Sequence, residues 1–194
     1  LHVHDPRHRY SYELRPDAEL DQAIREIALR LEQAGALAPG LATAPRFHPH
    51  LTLLRSGRCD EQLVVAIADL IAPAPALTFK AAGSFGAGRI GWLQPLDGSS
   101  LVAARDLLVR ELGEEHVDPL ALARDPWIPH LTAAYAVEPE HRDDIEQLLA
   151  AHLPLTGAWA LAQSWDLAVR PTVLVAEQRI AALPARMDRD EASA

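Results

Sequence analysis

The sequence is poor in several things that would commit it to a class of function. It holds a single cysteine, Cys59, among 194 residues. One thiol cannot close an internal disulfide, so the fold has to be held by its core, and a reducing compartment suits it. Cys59 directly precedes a predicted helix start, where a thiolate would be favoured, but a half-buried bystander is the plainer reading. Basic residues are scarce: 18 Lys and Arg stand against 27 Asp and Glu, for a net charge of −9 and a pI near 5.4. Gripping long nucleic acid through many phosphates takes a basic surface, which this balance argues against. A small nucleotide or one RNA terminus needs only a few local donors and stays within reach. No apolar run approaches the ~18 residues that cross a membrane. The leader, Leu1 to His8, has no apolar signal core, so the expected location is the cytoplasm. A site built from His2, His4 and His8 with His48 and His50 is conceivable, but no Cys/His/Glu ligand spacing supports one. The expectation is no metal and no cofactor.

What is present is an ordinary globular composition, 49% hydrophobic and 23% charged, long enough for one sizeable domain or two small lobes sharing a core. Its most informative stretch is Pro49-His50-Leu51-Thr52, because the chain writes it again as Pro129-His130-Leu131-Thr132, 80 residues later. On a strand, side chains alternate between faces. His50 and Thr52 therefore share one face with Leu51 and Leu53 behind, as His130 and Thr132 do with Leu131 and Ala133 behind.

The flanking elements repeat too. Residues 10–14 alternate as a strand, and Leu20, Ile24, Ile27 and Leu31 make one apolar stripe on a helix over 17–34. The first His-Thr strand runs over 47–55, a helix from Asp60 to Ile71 carries Leu63, Ile67, Leu70 and Ile71 inward, and a strand covers 77–85. The second half predicts a strand at 89–96 and a helix capped by Ser99 or Ser100 with Leu101, Ala104, Leu108 and Leu112 inward. The second His-Thr strand at 128–137, a helix opening at Pro139, and strands at 158–169 and 172–181 complete it. Shifted by 80, the first series overlays the second. The pattern predicts an internal duplication with pseudo-two-fold symmetry. The expected fold is bilobal α+β, with two antiparallel sheets facing a central cleft and helices outside. Lobes 10–85 and 89–181 would form one domain over 1–186, with 187–194 a disordered tail.

Two imidazoles facing one another can serve as acid and base in one displacement near neutral pH. Two hydroxyls between them can donate to the non-bridging oxygens of a phosphate. That set suits in-line attack on a phosphodiester and needs no metal. Of the other histidines, His48 shares the face of His50 and is read as a rim residue. His116, His141 and His152 are read as peripheral, and His2, His4 and His8 as part of an unanchored leader.

Paired in this way, the tetrads resemble the H-x-[T/S]-x signature of the two-histidine (2H) phosphoesterase superfamily. Within it the chain is similar to the bacterial 2′-5′ RNA ligase and cyclic phosphodiesterase-like proteins, over nearly all of residues 10–181. The resemblance implies catalytic roles for His50, Thr52, His130 and Thr132, a metal-independent mechanism, and substrates bearing a 2′,3′- or 1″,2″-cyclic phosphate or a 2′-5′ linkage. It also implies His130 as base and His50 as acid, an assignment the sequence repeat cannot make. The family often has an aromatic residue five after the second His, where Tyr135 stands. Arg55 holds the symmetric place. Strict alternation turns both away from the cleft, so they reach it only if the strands bulge. Ala133 replaces a larger apolar residue common in the family, and the overall acidity favours a small substrate over folded RNA. The expected partner is a small nucleotide or RNA terminus, handled by a monomer. Alternatives are a same-family hydrolase of a cyclic oligonucleotide signal or biosynthetic nucleotide, and an idle nucleotide-binding module, which two intact motifs speak against.

Overall fold

The alternation from Tyr10 onward forms the first strand, β1 (Tyr10–Pro16), in a computed structural model that describes residues 8–44, 47–123, 127–169 and 172–181. The stripe that follows becomes α1 (Ala18–Gln33), with Leu20, Ile24, Ile27, Ala28 and Leu31 buried. Burying each large apolar side chain is worth about 1.5–3 kcal/mol. Asp17 caps the helix by accepting from the Leu20 amide at 2.8 Å. Its second oxygen accepts from the Ala158 amide at 2.6 Å, fastening the helix start to a later strand. The chain continues through β2 (Leu51–Ser56), α2 (Glu61–Ile71) and β3 (Ala76–Phe85). It then repeats the order as β4 (Ile90–Pro95), α3 (Ser99–Leu112), a short α4 (Pro119–Leu122), β5 (Leu131–Tyr135) and α5 (Ile145–Ala150). Two strands close it, β6 (Leu155–Asp166) and β7 (Val173–Arg179).

Three local expectations shift. Neither Ser99 nor Ser100 caps α3: Gly98 holds the cap position without a side-chain bond, and Asp97 accepts from the Ser99 amide at 2.9 Å. Pro139 opens only a 3-10 turn, and α5 starts at Ile145. His8, read as part of a loose leader, is buried. His2, His4 and the tail expected after Arg186 lie outside the described residues.

All seven strands pair antiparallel in the order β2-β1-β6-β3-β4-β5, with β7 also on β6. The first residues of β6, Leu155 to Ala158, pair with β3, and its remainder pairs with β1. The two antiparallel halves are thus joined through one shared strand. β2 and β5 stand at opposite ends of this path, yet they come within 8 Å of each other, Cα to Cα. The sheet therefore curls until its two His-Thr strands meet. Helices cross between halves in a matched way: α1 packs on β5, and α3 on β2.

Register decides which side chains share a neighbourhood. Leu14 pairs with Leu51 and Glu13 with Thr52, while Leu93 pairs with Leu131 and Trp92 with Thr132. The next pairs are Tyr12 with Leu54 and Gly91 with Ala134, so one residue is skipped in each strand pair. Leu53 and Ala133 are the extra residues of two matching β-bulges, each of which resets the alternation behind it. In consequence Leu51, Leu53 and Leu54 are buried while Thr52 and Arg55 are partly open. In β5, Leu131, Ala133 and Ala134 are buried while Thr132 and Tyr135 are partly open.

Candidate active site

The matched bulges put Arg55 on the face of Thr52, and Tyr135 on the face of Thr132. A cavity of about 430 Å³ collects all six residues singled out in the sequence: His50, Thr52, Arg55, His130, Thr132 and Tyr135. The size suits a small-molecule ligand. Phe85 and Trp127 add aromatic faces to its wall.

Each histidine sits immediately before its strand and is oriented by its own backbone. His50 Nδ1 lies 2.8 Å from the His48 carbonyl oxygen, and His130 Nδ1 lies 2.9 Å from that of Ile128. A carbonyl only accepts, so Nδ1 carries the hydrogen in both rings. The neutral ring then has its lone pair on Nε2, the nitrogen through which it takes or gives a proton.

Around these equal frames the side chains differ. The buried Glu13, beside Thr52 in the β1–β2 pair, brings one oxygen 3.8 Å from His50 Nε2 and the other 3.9 Å from His48 Nε2. The Ser11 hydroxyl donates to Oε1 at 2.7 Å, while Oε2 is buried with no hydrogen-bond partner. His48 stacks on Trp165, with centroids 5.7 Å apart. In the other half, the place of Glu13 beside the threonine is taken by Trp92. The His130 ring lies 4.9 Å from Phe85, edge to face, and 6.1 Å from Trp92. Gly83 permits this packing, because a Cβ there would fall 2.2 Å from Trp92 Cζ2.

Tyr135 shares a hydrogen bond with Thr132. Burial pushes its phenol above the usual range, with the Glu13 charge adding to the rise; the Thr132 bond and the Arg55 charge oppose it. The phenol accordingly stays protonated at neutral pH and can donate.

The sequence reading missed Glu13. Its alternation with Tyr12 and Leu14 reads as a solvent-facing position, and only the β1–β2 register puts it beside Thr52. As a result the expectation of no Cys/His/Glu donor group needs correcting: Glu13, His48 and His50 place ligand-type atoms within 4.8 Å of one another. Phe85 and Trp127 were missed because a strand end and a loop gave no spacing signal. Cys59 is half-buried beside Tyr12 and Ser164, away from the cavity lining.

An α+β fold with an antiparallel sheet, carrying two His-x-Thr strands on one cavity, defines a class. The sequence profile of the 2′-5′ RNA ligase superfamily matches residues 16–163, and the chain belongs to that superfamily. Among solved structures it is similar to E. coli LigT complexed with 3′-AMP, at 17% identity and a TM-score of 0.54, over 89% of this chain and 98% of that one. LigT in its apo form matches at 17% identity and a TM-score of 0.53, over 90% and 98% of the two chains. The complex of LigT with NADP+ matches at 19% and 0.50, over 89% and 98%. At these identities the likeness establishes the fold. No curated protein matches the sequence.

Proposed function

We propose that this protein is a metal-independent phosphoesterase that opens 2′,3′-cyclic phosphates or cleaves 2′-5′ phosphodiester bonds of nucleotides or RNA ends, or ligates such ends in reverse. The observation that carries this reading is the pair of Nδ1–carbonyl bonds, which set both motif histidines in the same tautomer on one cavity. In the hydrolytic direction His130 takes a proton from water, whose oxygen attacks phosphorus. The bond to the 2′- or 3′-oxygen breaks on the far side, and His50 supplies that oxygen with a proton. Glu13 Oε1 stands 3.8 Å from His50 Nε2, so His50 and not His130 has a carboxylate beside its reacting nitrogen. Thr52, Thr132 and the protonated Tyr135 are donors for the non-bridging oxygens, and Arg55 supplies a cation on the same wall. The 3′-AMP and NADP+ of the LigT complexes are in keeping with a small nucleotide ligand.

No helix among the described residues is long and apolar enough to cross a membrane, and the reading is of a cytoplasmic monomer. The test is turnover of nucleoside 2′,3′-cyclic phosphates and short 2′-5′ oligonucleotides by purified protein, with and without EDTA. Turnover that survives EDTA supports the reading. Turnover abolished by EDTA and restored by a divalent ion overturns the acid-base assignment.

A further inference from the structure

We infer that Glu13, His48 and His50 form a binding site for a divalent transition-metal ion of the zinc class, and that its occupancy takes His50 out of proton transfer. The second clause rests on the function proposed above; the first does not.

Three observations converge on this site. One donor atom from each residue lies within 4.8 Å of the others, with carboxylate–imidazole gaps of 3.8 and 3.9 Å. A tetrahedral ion with bonds of about 2.0–2.2 Å holds its donors about 3.4 Å apart. The two carboxylate–imidazole gaps close by about half an ångström and the widest donor gap, at most 4.8 Å, by up to about 1.4 Å, which side-chain rotation supplies.

The donors are also oriented as a metal requires. His50 commits Nδ1–H to the His48 carbonyl at 2.8 Å, which fixes the tautomer whose Nε2 lone pair points at Glu13. Ligating histidines almost always make such a bond through their other nitrogen, and ligating carboxylates are themselves hydrogen-bonded. The Ser11 hydroxyl does this for Glu13 Oε1 at 2.7 Å. The stack of His48 on Trp165 holds its ring plane on the other side.

Finally, Glu13 Oε2 is buried without a hydrogen-bond partner, in a side chain only 6% exposed, and lies 3.9 Å from His48 Nε2. A buried carboxylate oxygen left unbonded is costly, and a cation between it and the two imidazoles removes that cost. Two imidazoles and one carboxylate suit zinc, and three protein ligands leave a fourth position for water. Of the three ligands, His50 lines the cavity. A metal on Nε2 excludes a proton from the same lone pair. Zinc is therefore an inhibitor, and a chelator protects activity.

The experiment is calorimetric titration of untagged, metal-stripped protein with Zn²⁺, with Co²⁺ absorbance as a second readout. One ion is expected per chain, with a micromolar or tighter Kd and visible Co²⁺ bands from a low-coordinate site. Glu13→Gln and His48→Ala should each weaken binding by about 10-fold or more, while a variant with both His2 and His4 changed to Ala keeps it. His48 is partly exposed, so His48→Ala should fold, and whatever turnover it has should be insensitive to zinc. Zinc binding untouched by Glu13→Gln and His48→Ala overturns the site, as does absence of one-to-one binding in wild-type protein at tens of micromolar. The two readings fail separately. Turnover without zinc binding removes the site and leaves the function; specific binding in a protein inert toward every phosphodiester removes the function and leaves the site.

Discussion

The two His-Thr strand pairs are alike in backbone and unlike in what stands behind the histidine. Both skip one residue after the threonine, both open the residue three after it, Arg55 or Tyr135, onto the same cavity, and both hold the histidine by Nδ1 to the carbonyl two residues back. Beside Thr52, however, stands the carboxylate of Glu13, whereas beside Thr132 stands the indole of Trp92. A carboxylate faces one imidazole, and an aromatic wall packs against the other. The repeated backbone gives two equivalent reacting groups, and one difference per strand pair gives each its own surroundings. In-line displacement needs such a difference, because one ring must begin with a proton and the other without.

The largest effects should come from removing either ring. His50→Ala and His130→Ala should each lower turnover about 10²–10⁴-fold. A substrate with an activated leaving group needs no acid, so it should restore most of the rate to the His50 variant and little to the His130 variant. Rescue of the His130 variant instead would exchange the roles. Full activity in both would remove the mechanism.

Much of the frame behind this contrast was legible in the sequence. The period-2 pattern around His50 and His130, the apolar stripe of α1 and the 80-residue spacing announced the strands, the helices and their shared cavity. The stripe of α3 came through whole: Leu101, Ala104, Leu108 and Leu112 are all buried. What stayed hidden depends on register. Leu53 and Ala133 look like ordinary strand residues, and a bulge is a property of two paired strands rather than of either sequence. Glu13 was hidden for the same reason, since a polar residue in an alternating strand reads as solvent-facing until a partner covers it. Joining the two halves through β6 was equally invisible, because a strand of 12 residues looks the same whether it serves one sheet edge or two.

Smaller losses should follow the hydroxyls. Thr52→Ala and Thr132→Ala each remove a donor to phosphate, for about 10–10³-fold in turnover. Thr132 also shares a hydrogen bond with Tyr135, so Thr132→Ala and Tyr135→Phe should be non-additive when combined. Tyr135→Phe alone should cost about 2–10-fold, the worth of one hydrogen bond of about 0.5–1.5 kcal/mol. Its phenol is held above the usual range, so this cost should be flat between about pH 6 and 9. A cost that vanished as the pH rose through that window would mean that the phenol ionises there.

The smallest effect concerns how each half closes its sheet, and it is one of stability. β3 and β4 are joined covalently by a tight turn in which Gly86, Ala87 and Gly88 all take positive φ, so Phe85 meets Ile90 without further help. The corresponding ends in the first half, Asp166 of β6 and Tyr10 of β1, are far apart in sequence and pair only by folding. There Arg9 and Asp166 form an ion pair, with Arg9 Nε donating at 3.2 Å and a second guanidinium contact alongside. The Arg9 hydrogen bond, opposed by desolvation and aided by the Ala168 amide, holds the Asp166 carboxyl below the usual carboxylate range. A carboxyl depressed in the folded state stabilises the fold above its unfolded value, about 3.9, and loses that contribution as the pH falls through the lower folded value. Asp166→Asn should therefore lower Tm slightly at pH 7, where surface pairs contribute little. The gap to wild type should close below about pH 4, as the wild-type carboxyl takes up its proton. Melting curves at pH 7, 4 and 3 decide it: a gap that stayed constant into acid would show that the aspartate acts by shape and backbone hydrogen bonding alone, and not as the charged clip that replaces a turn.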